Sequence, residues 1–305
     1  MNRKTVVIGS LNYDVCLKQE RLPVEGETYF ADSVNYCSGG KGGNQAVQAA
    51  KLGVPTYMVG CIGDDTSGVF LKENIEKYGV HTDYLKIRPG NSGMSVAQSL
   101  YDGGVRASVV RGTNDLVTKE DVDELDGFLN PGDIVVFQLE IPISTIEYAI
   151  HFCKEKGCVV ILNGAPASEV SEETLKEVDY FVVNELEAGF FCKKPIEDKE
   201  TALEEIQKMT RALGNTCIYT LGKAGSVVCD GKKAEFVPSR KVQAVESTGA
   251  GDSFIGGLCY ALTENMDIFE AAKFATCCSA KTVCKIGGQP SMPFLDEVME
   301  LYNQK

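Results

Sequence analysis

The sequence contains no tryptophan and only two histidines, His81 and His151, far apart in the chain. No Cys-x-x-Cys occurs, so the spacing expected of a zinc site is missing. The twelve cysteines fall mostly in apolar runs: Cys217 in TCIYTL, Cys259 in GGLCYAL, Cys277 and Cys278 in FATCCSA. They read as buried thiols rather than as metal ligands or disulfides. Basic residues are in deficit. Thirty Lys and Arg against 43 Asp and Glu leave a net charge of −13, with the carboxylates spread along the chain. That argues against a nucleic-acid surface, which needs a basic stripe to displace counterions. It leaves room for a small anionic ligand, because a helix terminus can override the global field locally. Apolar runs such as Ile134–Phe137 fall far below the roughly 20 residues a membrane helix needs. The N-terminal MNRKTVVIGS passes from a short basic start into a strand pattern without an apolar signal segment, so a cytoplasmic location is expected.

What is present is enough apolar residue for a substantial core, 44% of 305 positions, in one large domain or two. Short β-rich runs are expected at 4–9, 55–60, 133–138, 158–163, 180–183 and 216–221, several of them apolar on both faces. Helix-period segments lie between them at 44–52, 67–78, 119–129, 144–156 and 201–213, and longer ones follow at 252–263, 268–284 and 294–302. This order implies an α/β layer fold around a mostly parallel sheet. Two regions, 14–37 and 92–111, break the alternation and read as β-ribbon. In the second, Asp102-Gly-Gly is a turn signal between two strand-like halves. Together they predict a small discontinuous β lid (14–37 and 92–111) on a body made of 1–13, 38–91 and 112–305. Such a lid can exclude water from a pocket.

The stretch VESTGAGDSF, residues 245–254, places glycines and a carboxylate where the chain enters the apolar segment IGGLCYAL. Glycines let backbone N–H groups converge, and a helix start adds unpaired donors and partial positive charge, which together make an anion site. Asp252 beside it reads either as a helix cap or as a base. A second cluster, SGGKGGNQA at 38–46, is neither a Walker A nor a dinucleotide fingerprint. It reads as a flexible turn opening an alanine-rich helix, with Lys41 and Asn44 able to reach a polyol or phosphate. Asn12 and Asp14 follow the first strand, and Glu140 follows the strand VVFQLE. Both places face the usual ligand crevice of an α/β sheet, although an ordinary Asx turn explains the first equally. Asn184 and Glu187, three apart at a helix start, suit either capping or outer-shell contacts to a hydrated magnesium ion.

In combination these stretches resemble the ribokinase-like carbohydrate kinases, also called the phosphofructokinase-B family. GGKGGNQAVQAAKLG is similar to that family's N-terminal signature and STGAGDSFIGGL to its C-terminal one. VIGSLNYD, QLE, VNELEAG, TLGKAG and GGQPSMP occur in matching order along essentially the whole chain. The resemblance implies a three-layer α/β fold of the ribokinase-like type with a small β lid, and ATP-dependent phosphoryl transfer to a sugar hydroxyl, with ribose the expected acceptor. It implies Asp252 as catalytic base and an amide anion hole at Gly249, Ala250 and Gly251. Asn12, Asp14, Gly40, Lys41, Asn44 and Glu140 would line the sugar site. Asn184, Glu187, Thr220, Gly222 and Lys223 would lie along the nucleotide and magnesium side. Glu246, Thr248, Lys285, Gly287 and Ser291 match positions that hold potassium, although Glu246 stands where aspartate is usual. A homodimer through the lid is expected. Two rivals remain: a kinase of the same family for another sugar, an acidic sugar, a sugar phosphate or a nucleoside, and a non-catalytic sugar- or nucleotide-binding protein. Arg106, in the lid, would reach a charged substrate or simply be solvated.

Overall fold

The computed structural model describes residues 3–101 and 105–304. A nine-stranded sheet forms the body, built from β1 (Thr5–Ile8), β4 (Thr56–Gly63), β5 (His81–Arg88), β8 (Ile134–Phe137), β9 (Val159–Asn163), β10 (Tyr180–Asn184), β11 (Thr216–Thr220), β12 (Gly225–Cys229) and β13 (Ala234–Pro238). Their order is β13-β12-β11-β10-β9-β8-β1-β4-β5, parallel except for the antiparallel pairs β11/β12 and β12/β13. A separate four-stranded sheet, β3-β2-β6-β7, comprises β2 (Asn12–Gln19), β3 (Ser33–Gly39), β6 (Gly93–Leu100) and β7 (Val105–Val110), and acts as the lid.

The central strands are fully buried, which is why they read as unbroken apolar runs. Alternate side chains serve opposite faces. Val7, Met58 and Val136 point into one core, Val6, Ile8, Val135 and Phe137 into the other. The first core is covered by α1 (Lys41–Lys51), α2 (Thr66–Lys77), α8 (Ala250–Thr263), α9 (Ile268–Thr282) and α11 (Leu295–Tyr302). The second is covered by α4 (Ile143–Glu155) and α7 (Lys199–Leu213), with the shorter α3 (Lys119–Asp123), α5 (Glu172–Glu177) and α6 (Glu185–Cys192) on that side. A single turn, α10 (Gly288–Ser291), precedes α11. These are the three layers that the resemblance to the ribokinase-like kinases implies.

The segment expected to be helical over 119–129 is helical only to Asp123. Beyond it the amides of Leu125, Asp126 and Phe128 each bond three residues back, and Gly127 turns left-handed at φ +76°, so the helix tightens and stops. Strands β5, β12 and β13 are absent from the sequence expectation. β5 is an edge strand of mixed polarity, HTDYLKIR, and β13 is the opposite edge and only partly buried, whereas β12 is fully buried but offers only the short apolar run Val227–Cys229. The two halves of the lid hairpin pair as expected, Met94 opposite Val110 through Ser99 opposite Val105, while the Asp102-Gly-Gly turn lies outside the described residues. All twelve cysteines are free, eight of them buried.

Helix α8 passes so close to its neighbours that side chains are excluded on one face. A methyl group on Gly256 would lie 2.5 Å from Gln48 Cβ and 2.9 Å from the Ala49 amide nitrogen of α1. Gly256→Ala is therefore expected to lower stability by about 1–3 kcal/mol despite its better helix propensity, read as a fall in the urea midpoint with unchanged m value.

Candidate active site

The order of strands reverses between β1 and β8, which place Ser10, Leu11 and Asn12 beside Gln138, Leu139 and Glu140 at their carboxyl ends. This is where an open α/β sheet leaves a crevice. Two helix starts converge on it. The cap of α1 is Gly40 at φ +81°, and any side chain there would meet Leu11 and the Asn12 amide within 2.8 Å. The cap of α8 is Gly249 at φ +77°, a left-handed conformation costly for other residues. α8 thus begins two residues earlier than the sequence pattern suggests, and Asp252 lies inside its first turn.

The capping reading of Asp252 fails on this geometry. Its carboxylate turns away from the α8 backbone toward α1, where Asn44 Nδ2 donates to Oδ2 at 2.8 Å and Gln45 Nε2 to Oδ1 at 3.0 Å. A cavity of about 230 Å³ opens over the start of α8, lined among others by Lys41, Asn184, Glu187, Thr220, Gly249, Gly251 and Asp252. Lys41 lies among three carboxylates. Burial pulls its pKa down, but the fields of Asp252, Glu140 and Glu187 outweigh that and leave it raised. Burial likewise pushes the Asp252 pKa up, opposed by Lys41 and by the hydrogen bonds from Asn44 and Gln45, and reinforced by Glu140.

Asn12, Asp14, Gly40, Asn44 and Glu140 do not line that cavity; they gather around the Lys41 end of the crevice. The Glu140 carboxylate accepts from the Ser10 hydroxyl and, at 3.0 Å, from the Lys41 backbone N–H. Asn12 is held by Asn114, whose Nδ2 donates to Asn12 Oδ1 at 2.9 Å. Asp14 occupies space that only a glycine at position 39 leaves open, since a Cβ there would meet its Oδ2 at 1.9 Å. Burial raises the Asp14 carboxyl to about 6; a hydrogen bond from Ser95 lowers it, and the Glu140 and Asp252 charges add to the rise.

Asn184 and Glu187 form a reciprocal capping box on α6, Asn184 Oδ1 accepting from the Glu187 N–H and Glu187 Oε2 from the Asn184 N–H, both at 2.9 Å. Glu187 remains on the cavity wall, and burial leads the rise in its pKa. Thr220 ends β11 on the same wall, whereas Gly222 and Lys223 are exposed on the following turn and do not line the cavity. Of the remaining group, Glu246 Oε2 accepts from the Gly287 N–H at 2.9 Å, and the Ser291 hydroxyl donates to Gly288 O at 2.7 Å. Thr248 is exposed, and Lys285 turns outward to Glu297. Arg106 is exposed on β7. Sequence reasoning missed Ser10, Gln45, Ser95, Asn114 and Asn163. For Gln45 there was a signal: an amide inside an alanine-rich, buried helix needs a partner.

Residues 2–295 match the family model described as pfkB family carbohydrate kinase. The chain belongs to the pfkB family of carbohydrate kinases. Among curated relatives, the kinase is 34% identical over 299 residues to the ribokinase of Bacillus subtilis (strain 168), spanning 98% of this chain and 99% of that one. It is 31% identical over 296 residues to the deoxyribokinase of Salmonella typhi, spanning 96% and 97%. Its fold superposes on the Arabidopsis thaliana ribokinase complexed with ribose and ATP with a TM-score of 0.90 at 31% identity, over 100% of both chains.

The raised Asp14 carboxyl has a consequence for stability. A folded-state pKa of about 6 against an ordinary 3.8 contributes stability that is fully present below pH 3.8 and lost as pH rises through 6. Asp14→Asn, which cannot ionise, is expected to be more stable than the parent at neutral pH by about 1–3 kcal/mol and equal to it near pH 4, measured by urea unfolding at both pH values.

Proposed function

We propose that the kinase transfers the γ-phosphoryl group of ATP to the 5-hydroxyl of D-ribose, giving D-ribose 5-phosphate and ADP. The observation that carries this reading is Asp252, buried beside the N–H groups that open α8 and beside Lys41, at the edge of a cavity of about 230 Å³. Relatives of the whole chain named ribokinase, one of them solved with ribose and ATP, support the choice of substrates. The sugar lies against Asn12, Asp14, Gly40, Lys41, Asn44 and Glu140. The nucleotide extends past Asn184, Glu187, Thr220, Gly222 and Lys223.

As the bond from phosphorus to the ADP oxygen breaks, a bond to the sugar oxygen forms, and the hydroxyl proton passes to the Asp252 carboxylate. The transition state is loose, so the hydroxyl becomes acidic only late in the step, when a carboxylate suffices to take its proton. The amides of Gly249, Ala250 and Gly251 and the Lys41 ammonium stabilise charge on the moving phosphoryl group. Among the described residues no three His, Cys, Asp or Glu side chains cluster as metal ligands. The donor set fits a hydrated magnesium arriving on the triphosphate, with Glu187 and Asn184 touching its water shell; bound there, the ion supplies charge neutralisation on the phosphates. The oxygens of Glu246, Thr248, Gly287 and Ser291 suit potassium. Lys285 would take part through its backbone carbonyl, since an ammonium cannot ligate a cation and this one is paired with Glu297.

In this reading residues 14–37 and 92–111 form the lid on a body of 1–13, 38–91 and 112–305. A homodimer covers the exposed apolar side chains Val34, Tyr36, Met94 and Val110 of the lid. A cytoplasmic location accords with twelve free cysteines. The deoxyribokinase relative favours one second reading, 2-deoxyribose as acceptor.

ADP release with ribose, 2-deoxyribose, fructose, 2-keto-3-deoxygluconate, fructose 6-phosphate and adenosine tests the assignment. Ribose is expected to turn over fastest, and fastest with potassium present; no turnover with ribose would end it. Asp252→Asn is expected to keep ribose and ATP binding while kcat falls by about 10²–10⁴. Because the Asp252 pKa is raised, the acidic limb of the parent's kcat/KM should lie above the ordinary carboxylate range.

A further inference from the structure

Each oxygen of the Asp252 carboxylate ends a separate chain of side-chain amides, buried except for the half-buried Asn74 at the outer end of one, and in both chains every member donates toward the carboxylate. The first runs from Gln138 Nε2 to Gln45 Oε1 at 2.8 Å, then from Gln45 Nε2 to Asp252 Oδ1 at 3.0 Å. The second runs from Asn74 Nδ2 to Gln289 Oε1 at 2.6 Å, from Gln289 Nε2 to Asn44 Oδ1 at 3.1 Å, and from Asn44 Nδ2 to Asp252 Oδ2 at 2.8 Å. Gln45, Gln138 and Gln289 are no more than 1% exposed, so water has no ready access to the inner links of either chain.

The amide orientation in the first chain is fixed independently of Asp252. Asn163 Nδ2 donates to the Val182 backbone carbonyl at 3.1 Å, which can only accept, so Asn163 Oδ1 faces Gln45. Gln45 must then present its NH₂ on that side, and the same NH₂ reaches Asp252. Gln138 holds the opposite end of Gln45 from below. Space for it comes from Gly9, where a Cβ would lie 1.9 Å from Gln138 Oε1, and that oxygen has no partner. A buried amide with one unsatisfied oxygen is costly, which makes a purely space-filling role a poor explanation for a glutamine there.

We propose that Gln138 and Asn74, which touch neither substrate, are positioning residues for the catalytic carboxylate: through Gln45, and through Gln289 and Asn44, they aim donors at its two oxygens. The donors fix the direction of the carboxylate and favour its ionised form, the form that accepts the hydroxyl proton. Without Gln138, the Gln45 carbonyl oxygen loses its donor, and the amide keeps its orientation through Asn163 but loses the far anchor that holds its NH₂ in line with Asp252. Without Asn74, Gln289 is free to turn its carbonyl oxygen toward Asn44.

This inference rests on Asp252 being the base, and the experiment separates the two. Gln138→Met and Asn74→Leu keep shape and remove only the amide. Each is expected to lower kcat by about tenfold, to leave KM for ribose and ATP within about twofold, and to move the acidic limb of kcat/KM upward. The double variant should combine the two losses. A merely structural role would lower the unfolding midpoint and leave the pH limb in place, and that result in both variants overturns the proposal. Should one variant fail to fold, the other decides by the same readouts. Should both fail, Gln45→Met, which removes the donor itself, decides: an acidic limb and kcat matching the parent's would overturn the proposal. Normal turnover in Asp252→Asn would instead remove the base assignment, whereas an inactive Asp252→Asn beside unaltered Gln138→Met and Asn74→Leu sinks the positioning inference alone.

Discussion

One half-buried cation in the fields of three carboxylates organises this crevice. Lys41 stands at the first position of α1, within the fields of Asp252, Glu140 and Glu187. Removing a carboxylate from water costs several kcal/mol unless an opposite charge or good donors replace the solvent. Lys41 supplies the charge; Asn44, Gln45, Ser10 and the amide that caps α6 supply the donors. The compensation is incomplete, since the pKa values of Asp14, Asp252 and Glu187 all remain raised. A site left with surplus negative charge has room for the positive charge that a nucleotide brings with its counterions.

That cluster explains why two glycine-rich turns converge. The body sheet gives rigid strand ends, and only helices that start beside those ends can aim backbone N–H groups into the crevice. α8 must also lie against α1 at a distance that Gly256 permits and a larger residue would not. The start of α8, the proposed anion site, is therefore placed by packing far along the helix, and owes its position to helix contact rather than to the loop.

Most of the body was legible because its strands are buried on both faces, which leaves an unmistakable apolar signature, as in TVVI and IVVF. Edge elements were not. β5 and β13 are mixed in polarity and only partly buried, the interior strand β12 shows only the short apolar run Val227–Cys229, and the sequence beyond Asp123 looks helical until backbone tightening at Gly127 ends it. At the site, residues in glycine motifs were readable from their type, because charge or a left-handed turn is demanded there. Asn114, Asn163 and Gln138 were not, since an amide that only orients another amide has no local pattern. Their partners lie 19 to 118 residues away.

The lid is joined to the body in an unusual place. Asn12 of β2 stands in register with Gly39 of β3 on one side and Gly93 of β6 on the other, so three of the connections between the two sheets line up in a single row across the crevice. Asn12 belongs to that row and is tied to the body through Asn114. A swing of the small sheet would thus pivot on the groups proposed to hold the sugar, and a ligand lodged there would act as a wedge in the axle, making occupancy and closure one mechanical event.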